Sequence, residues 1–148
     1  MSETLHPSGL ELSLITDLHR RAQVAAEHAY APYSGFRVGA ALLLAGPGPD
    51  AIVAGCNVEN SSYRLTTCAE QTAIVSAVAA FGPLLKLRAV VIANLNHASS
   101  SPCGACRQTI LEFSTPDTWV FYPGKDGKQT SSRIADLLPA GFTFQFQS

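Results

Sequence analysis

The sequence predicts an α/β protein, a single domain over residues 1–148 in which helices cover both faces of a small mixed sheet. Three observations carry this. Strand-like and helix-like segments alternate along the chain. The stretch Cys68 to Phe81 is apolar on most of its faces, through Ala69, Ala73, Ile74, Val75, Ala77 and Val78, as a buried helix is. Leu87 to Ala93, apolar apart from Arg88, looks like a central strand. At 148 residues, with no internal repeat and no long linker, the chain has enough material for one core.

Taken in order, Leu14, Leu18, Ala22, Ala25 and Ala29 recur at spacings of three and four, which predicts a helix from about Leu10 to Tyr30. Ser8 is the expected N-cap. Pro32 is the expected stop, because its ring disfavours helical geometry at the preceding residue. Val38 to Leu44 and Ala51 to Val58 form a predicted hairpin around the turn Gly46-Pro47-Gly48-Pro49-Asp50. The buried helix ends at Gly82-Pro83, and the central strand follows. A loop, Asn94 to Pro102, leads to a second helix from Cys103 to Phe113. Val120 to Tyr122 and Gln129 to Ser131 flank a turn at Gly124-Lys125-Asp126-Gly127. A short helix from Arg133 to Leu138 and a tail in which Phe142, Phe144 and Phe146 alternate like an edge strand close the chain.

Composition excludes several classes. Ten basic against eleven acidic residues give a net charge of −1, and Arg20-Arg21 is the only adjacent basic pair. Gripping a phosphate backbone requires a clustered basic face, so a nucleic-acid partner is not expected. No apolar run approaches the roughly 20 residues that span a bilayer. The start Met1-Ser2-Glu3-Thr4 lacks a secretory signal, and four cysteines without one suggest reduced thiols and a cytoplasmic protein. Charged residues make up 14% of the chain, below the roughly 25% of an average soluble domain. A surface so poor in charge is expected to be covered in part by other subunits.

Two short stretches carry the chemistry: Thr67-Cys68-Ala69-Glu70-Gln71 and Pro102-Cys103-Gly104-Ala105-Cys106-Arg107. Cys103 and Cys106 have the spacing with which one helix start offers two thiolates to a tetrahedral zinc, though a lone pair of this kind could equally be redox-active. Cys68, 35 positions earlier and followed two residues on by Glu70, makes the pattern specific. All three cysteines fall at the first turns of predicted helices, where unpaired N–H groups and the helix dipole favour thiolates. Three protein ligands leave a fourth position open, as a catalytic zinc requires. Glu70 stands beside the metal without needing to bind it, which suits proton transfer. Arg107 and the helix ends are the available positive groups.

With these motifs the chain resembles the small homotetrameric zinc-dependent cytidine deaminases from about Leu14 to Phe142. Further matching stretches are Ala31-Pro32-Tyr33-Ser34-Gly35-Phe36-Arg37-Val38-Gly39-Ala40-Ala41, Gly55-Cys56-Asn57-Val58-Glu59-Asn60-Ser61-Ser62-Tyr63 and Leu137-Leu138-Pro139. The resemblance implies a three-layer α/β/α sandwich with a mixed, mainly five-stranded sheet, and hydrolytic deamination of cytidine and deoxycytidine in pyrimidine salvage. It implies one zinc per chain held by Cys68, Cys103 and Cys106, with Glu70 as the proton shuttle. It also implies that Asn57 and Glu59, in the intact segment through Asn60, bind the ribose, that Phe36 packs on the pyrimidine, and that the Ala69 N–H meets the base. Tyr63 and Phe142 would be lent to the pocket by neighbouring subunits of a homotetramer. One position departs from the family: the arginine that usually follows the glutamate and bonds the thiolates is Gln71 here.

Alternatives stand beside these readings. Cys56 could close a structural four-cysteine site, but this would leave Glu70 without a role, and a buried strand cysteine is the simpler reading. His6, His19, His28 and His97 lack ligand spacing to the cysteines and are expected on helices or the surface. Phe144 and Phe146 are expected to pack in a core or interface, and Glu112 to be structural. A related cytosine nucleoside as substrate, or a catalytically silent zinc module, are the competing functions, and Glu70 speaks against the second.

Overall fold

The computed structural model describes residues 4–46 and 51–145. Four α-helices and five strands follow in the order α1 (Leu12–Glu27), β1 (Val38–Leu44), β2 (Ile52–Cys56), α2 (Ala69–Phe81), β3 (Leu87–Asn94), α3 (Gly104–Glu112), β4 (Ser114–Pro123), β5 (Gln129–Arg133) and α4 (Ile134–Leu137), with a 3-10 turn at Tyr63–Leu65. The strands form one mixed sheet in the order β2-β1-β3-β4-β5. Only β3 and β4 run parallel, and α3 supplies the crossover that parallel neighbours need.

All seven residues of β1 are buried, because the strand is covered on both faces. Its side chains alternate accordingly. Ala41 and Leu43 pack with Leu18 and Ala22 of α1, together with Ala89, Val91 and Phe121. Ala40, Leu42 and Leu44 face the opposite core, with Ala73, Ile74 and Ala77 of α2, Ile110 of α3 and Ile134 of α4. The result is the expected three-layer α/β/α sandwich. Two glycines set how closely the layers approach. A Cβ at Gly39 would overlap the Ala22 carbonyl oxygen of α1, and one at Gly55 would come within 2.5 Å of the Ala73 backbone nitrogen of α2.

Several boundaries differ from expectation. Helix α1 is capped by Glu11, not Ser8. Ser8 instead lies in a tight turn with Gly9 (φ 81°), where its hydroxyl accepts the Leu10 N–H at 3.3 Å. The helix ends at Glu27, well before Pro32. The Tyr30 N–H bonds the Asn57 carbonyl at 3.0 Å and the Glu59 N–H bonds the Tyr30 carbonyl at 2.8 Å, so pairing with the chain after β2 draws Tyr30 out of the helix. The buried stripe is Ile15, Leu18, Ala22 and Ala26, with Leu14, Ala25 and Ala29 flanking it half-buried. Strand β4 begins six residues earlier than the predicted Val120. Thr118 donates its hydroxyl to the Leu87 carbonyl at 2.6 Å, which seats the polar start of the strand beside β3. Residues 141–145 form no strand, so Phe142 and Phe144 are not part of an edge. Phe146 and most of the predicted hairpin turn, Pro47 to Asp50, lie outside the described residues.

The sheet has one functional end. The start of β1 pairs with the ends of β2 and β3, through Gly39 with Cys56 and Val38 with Asn94. Phe36, Asn57 and the loop before Cys103 therefore meet there, outside the carboxyl ends of β2 and β3, where clefts in open α/β sheets form.

Candidate metal centre and adjoining cleft

Cys68 and Cys103 are the N-cap residues of α2 and α3, both with extended backbone, and Cys106 is the third residue of α3. The two helix starts converge, and Ala69 of α2 and Ile110 of α3 are buried in one shared core. As a result the Sγ atoms of Cys68, Cys103 and Cys106 lie within 4.8 Å of one another. Three sulfurs bound to one tetrahedral zinc at ~2.3 Å lie ~3.8 Å apart, inside that limit. All three are free thiols: Cys106 buried, Cys68 half-buried and Cys103 exposed. The donor set fits one zinc. Cys56 is no part of this cluster.

The thiols are coupled to one another and to Glu70. A hydrogen bond from Cys106, more than any other effect, lowers the Cys68 thiol to about 7. The same bond, then burial, pushes Cys106 up. Cys106 also lies 3.4 Å from Glu70 Oε2. One S–H proton serves only one of these acceptors at a time, so metal entry must strip a shared set of protons. Glu70 is 5% exposed, and burial pushes its carboxyl up. A carboxyl that holds its proton more readily than usual can act as an acid as well as a base.

Above this cluster is a cleft of about 210 Å³ lined by Phe36, Val38, Asn57, Thr66, Cys68, Ala69, Glu70, Ser100, Ser101, Cys103 and Cys106. Asn57 uses both ends of its amide to fix the cleft wall. Its Nδ2 donates to the Phe36 carbonyl at 2.8 Å and its Oδ1 accepts the Val38 N–H at 2.9 Å. A second cleft of about 310 Å³, lined by Tyr33, Ser34, Glu59, Tyr63 and Thr66, adjoins the first at Thr66. There Glu59 accepts the N–H groups of Tyr33 at 2.9 Å and Ser34 at 3.3 Å, and the Ser34 hydroxyl. The hydroxyl is the main reason its carboxyl sits below the ordinary value. A wider depression of about 710 Å³ lies beside Ser101, Arg107 and Lys125, but it gathers no thiol, imidazole or buried carboxyl. Size does not mark the site; the thiols do.

The structure thus brings together Phe36, Asn57, Cys68, Ala69, Glu70, Cys103 and Cys106, with Glu59 and Tyr63 in the adjoining cleft. Asn60 lies outside both; its Oδ1 accepts the Ser62 N–H at 2.9 Å. Phe142 lines neither cleft, is 72% exposed, and its carbonyl accepts a hydrogen bond from Gln108 Nε2 of α3 at 2.8 Å. Arg107 points to backbone rather than to sulfur. Its Nε donates to Pro102 at 2.7 Å and its Nη1 to Leu137 at 2.8 Å, so it clamps the residue before Cys103. Gln71 accepts the Cys68 N–H. Val38, Thr66, Ser100 and Ser101 line the cleft without having been singled out in the sequence. Thr66, Ser100 and Ser101 stand next to the two motifs in sequence, but their side-chain types alone do not separate a cleft wall from an ordinary loop. His6 is not a plain surface residue: its ring packs against Trp119 and Phe121 and bonds Ser8 and Ser131.

Fold and site together define a zinc-dependent deaminase domain. Residues 13–122 match the family model described as the cytidine and deoxycytidylate deaminase zinc-binding region. A cytidine deaminase of Sporosarcina psychrophila is 40% identical over 129 residues, covering 87% of this chain and 91% of that protein. One of Mycobacterium tuberculosis is 40% identical over 125 residues, covering 84% and 86%. The crystal structure of a cytidine deaminase from Burkholderia pseudomallei superposes with a TM-score of 0.76 at 41% identity, covering 86% of this chain and 98% of that one. The chain belongs to the cytidine deaminase family and is an enzyme of that class.

Proposed function

We propose that the protein hydrolyses the exocyclic amine of free cytidine and deoxycytidine, giving uridine or deoxyuridine and ammonia, as a step of pyrimidine salvage in the cytoplasm. The observation that carries this reading is the buried Glu70 carboxyl 3.4 Å from Cys106, on the floor of a cleft that also holds Cys68 and Cys103. When bound to these thiols, zinc supplies Lewis acidity that makes water a nucleophile near neutral pH. Glu70 accepts a proton from the attacking water at a carboxylate oxygen and delivers it to the ring nitrogen beside the amine. It then takes the second proton from the hydroxyl now on the ring carbon and passes it to the amine, which leaves as ammonia while the oxygen stays on the ring carbon as a carbonyl. Phe36 offers a face to the pyrimidine, the Ala69 N–H a donor to the base, and Asn57 and Glu59 polar groups to the sugar. These roles rest on the resemblance and on the positions of these residues along the two clefts.

We further propose a homotetramer in which each pocket is closed by neighbours. Phe142 and Tyr63 support this, since they are 72% and 76% exposed and Phe142 lies outside its own chain's cleft. Among the described residues no helix is long and apolar enough to cross a membrane. Turnover of cytidine, deoxycytidine and cytosine, followed by ultraviolet absorbance, tests the substrate class. The account expects both nucleosides to be consumed and the free base to be left, and no turnover of either nucleoside would refute it.

A further inference from the structure

The two helix starts that bear the thiols are built to one plan. In α3 the N-cap is Cys103 and the third helical residue is Cys106; in α2 the N-cap is Cys68 and the third helical residue is Gln71. Gln71 therefore occupies in α2 the station that a ligand occupies in α3. What it does there differs from donation to sulfur. Its Oε1 accepts the Cys68 N–H at 3.2 Å, while its own N–H points to the Cys68 side chain, closing a reciprocal capping box. Its side-chain NH2 group makes no hydrogen bond among the described residues.

We propose that Gln71 is a positioning residue for Cys68, acting through its amide oxygen. The capping box fixes the backbone of Cys68 and holds its sulfur over the first turn of α2 before the metal arrives. The α3 pair needs no such brace, since Cys103 and Cys106 share one turn and Arg107 clamps the Pro102 carbonyl just ahead of them. Cys68 comes alone from another helix, and its placement sets whether three sulfurs can meet. In this chain the need at position 71 is then met by an acceptor that reaches back one turn. Glutamate meets it. Methionine, of similar reach, cannot accept that N–H, and arginine, the family's usual residue here, can only donate, to the thiolates. This rests on Cys68 being a zinc ligand, which the zinc content of the parent protein checks separately.

The test uses the full-length protein with Gln71→Glu, Gln71→Met and Gln71→Arg. Zinc affinity is read by competition with a chromophoric chelator, and amide hydrogen exchange at Cys68 is read in metal-free protein. Loss of a hydrogen bond that orients a ligand typically costs 10–100-fold in metal affinity. Gln71→Met should bind zinc about tenfold more weakly, and its Cys68 amide should exchange at least about tenfold faster, with Ala77 further along α2 unchanged. Gln71→Glu should keep slow exchange at Cys68, and Gln71→Arg should show the fast Cys68 exchange of Gln71→Met even where its guanidinium supports zinc by bonding the thiolates. Parental zinc affinity and Cys68 exchange in Gln71→Met, or parental Cys68 exchange in Gln71→Arg, would overturn the proposal. Parent protein without zinc would instead count against the metal assignment itself.

Discussion

Cys106 and Glu70 meet on the floor of the cleft, Sγ 3.4 Å from Oε2, although they stand 36 positions apart and belong to different helices. The contact exists because α2 and α3 begin at the same end of the sheet and bury Ala69 and Ile110 in one core. It joins the ligand cluster to the one buried carboxyl group among the described residues. Metal binding and proton transfer are therefore adjacent by construction.

The ligand set is tested by removing thiols one at a time. Cys56→Ser should keep one zinc per chain, since Cys56 lies outside the cluster. Cys103→Ala should lose zinc and, with it, stability, because metal binding and folding share their free energy. Elemental analysis and thermal unfolding read both.

Close approach of the layers gives a stability prediction. A Cβ at Gly39 would overlap the Ala22 carbonyl oxygen, a backbone atom that cannot swing aside. Gly39→Ala should cost about 3 kcal/mol or more in urea unfolding, at the upper end of overpacking effects. A change under about 0.5 kcal/mol would show that α1 lifts freely from the sheet.

Much of this was legible in the sequence, and for definite reasons. Val38–Leu44 was recognisable because a strand buried on both faces carries that burial in its own residues. Helix α2 was marked by its apolar content, although Val75 is 61% exposed and the helix is buried on one side only, and α3 buries just Cys106 and Ile110. The ends of α1 were not. Tyr30 leaves the helix for a bond to Asn57, and no local pattern at Tyr30 announces a partner 27 positions on. Strand β4 was cut short because Ser114-Thr115-Pro116-Asp117 looks like a loop until Thr118 bonds Leu87. At the site, the ligands and Glu70 were marked by spacing. Val38, Thr66, Ser100 and Ser101 were not, since apolar and hydroxyl side chains carry no pattern that separates a cleft wall from an ordinary loop.

The Ser34 hydroxyl governs the titration of Glu59. Its hydrogen bond is the main cause that lowers the carboxyl below the ordinary 4.5. A lowered acid contributes stability above the unfolded value and loses it as pH falls through the folded one. Glu59→Gln should thus be less stable than the parent above about pH 4.5, with the gap closing as pH falls below it. Ser34→Ala should move the Glu59 titration, followed by carbon NMR, upward. A downward shift or none would contradict the assignment.

Subunit exchange tests the borrowed aromatic residue. Glu70→Gln and Phe142→Ala, each expected to be inactive or nearly so alone, should regain part of the activity when co-expressed. Hybrid assemblies would contain pockets with an intact Glu70 from one chain and an intact Phe142 from another. Hybrids no more active than either parent, or a fully active monomer in light scattering, would refute a pocket closed in trans.

The most direct measurement is cytidine turnover by Glu70→Gln alongside its zinc content. The substitution keeps size and burial and removes only the proton carrier, so the variant should hold one zinc per chain and the parental fold. Its turnover should fall by at least about 10²–10⁴, the worth of a general acid–base group, and further if Glu70 serves in more than one step. A zinc-loaded Glu70→Gln enzyme working within about tenfold of the parent would contradict the account.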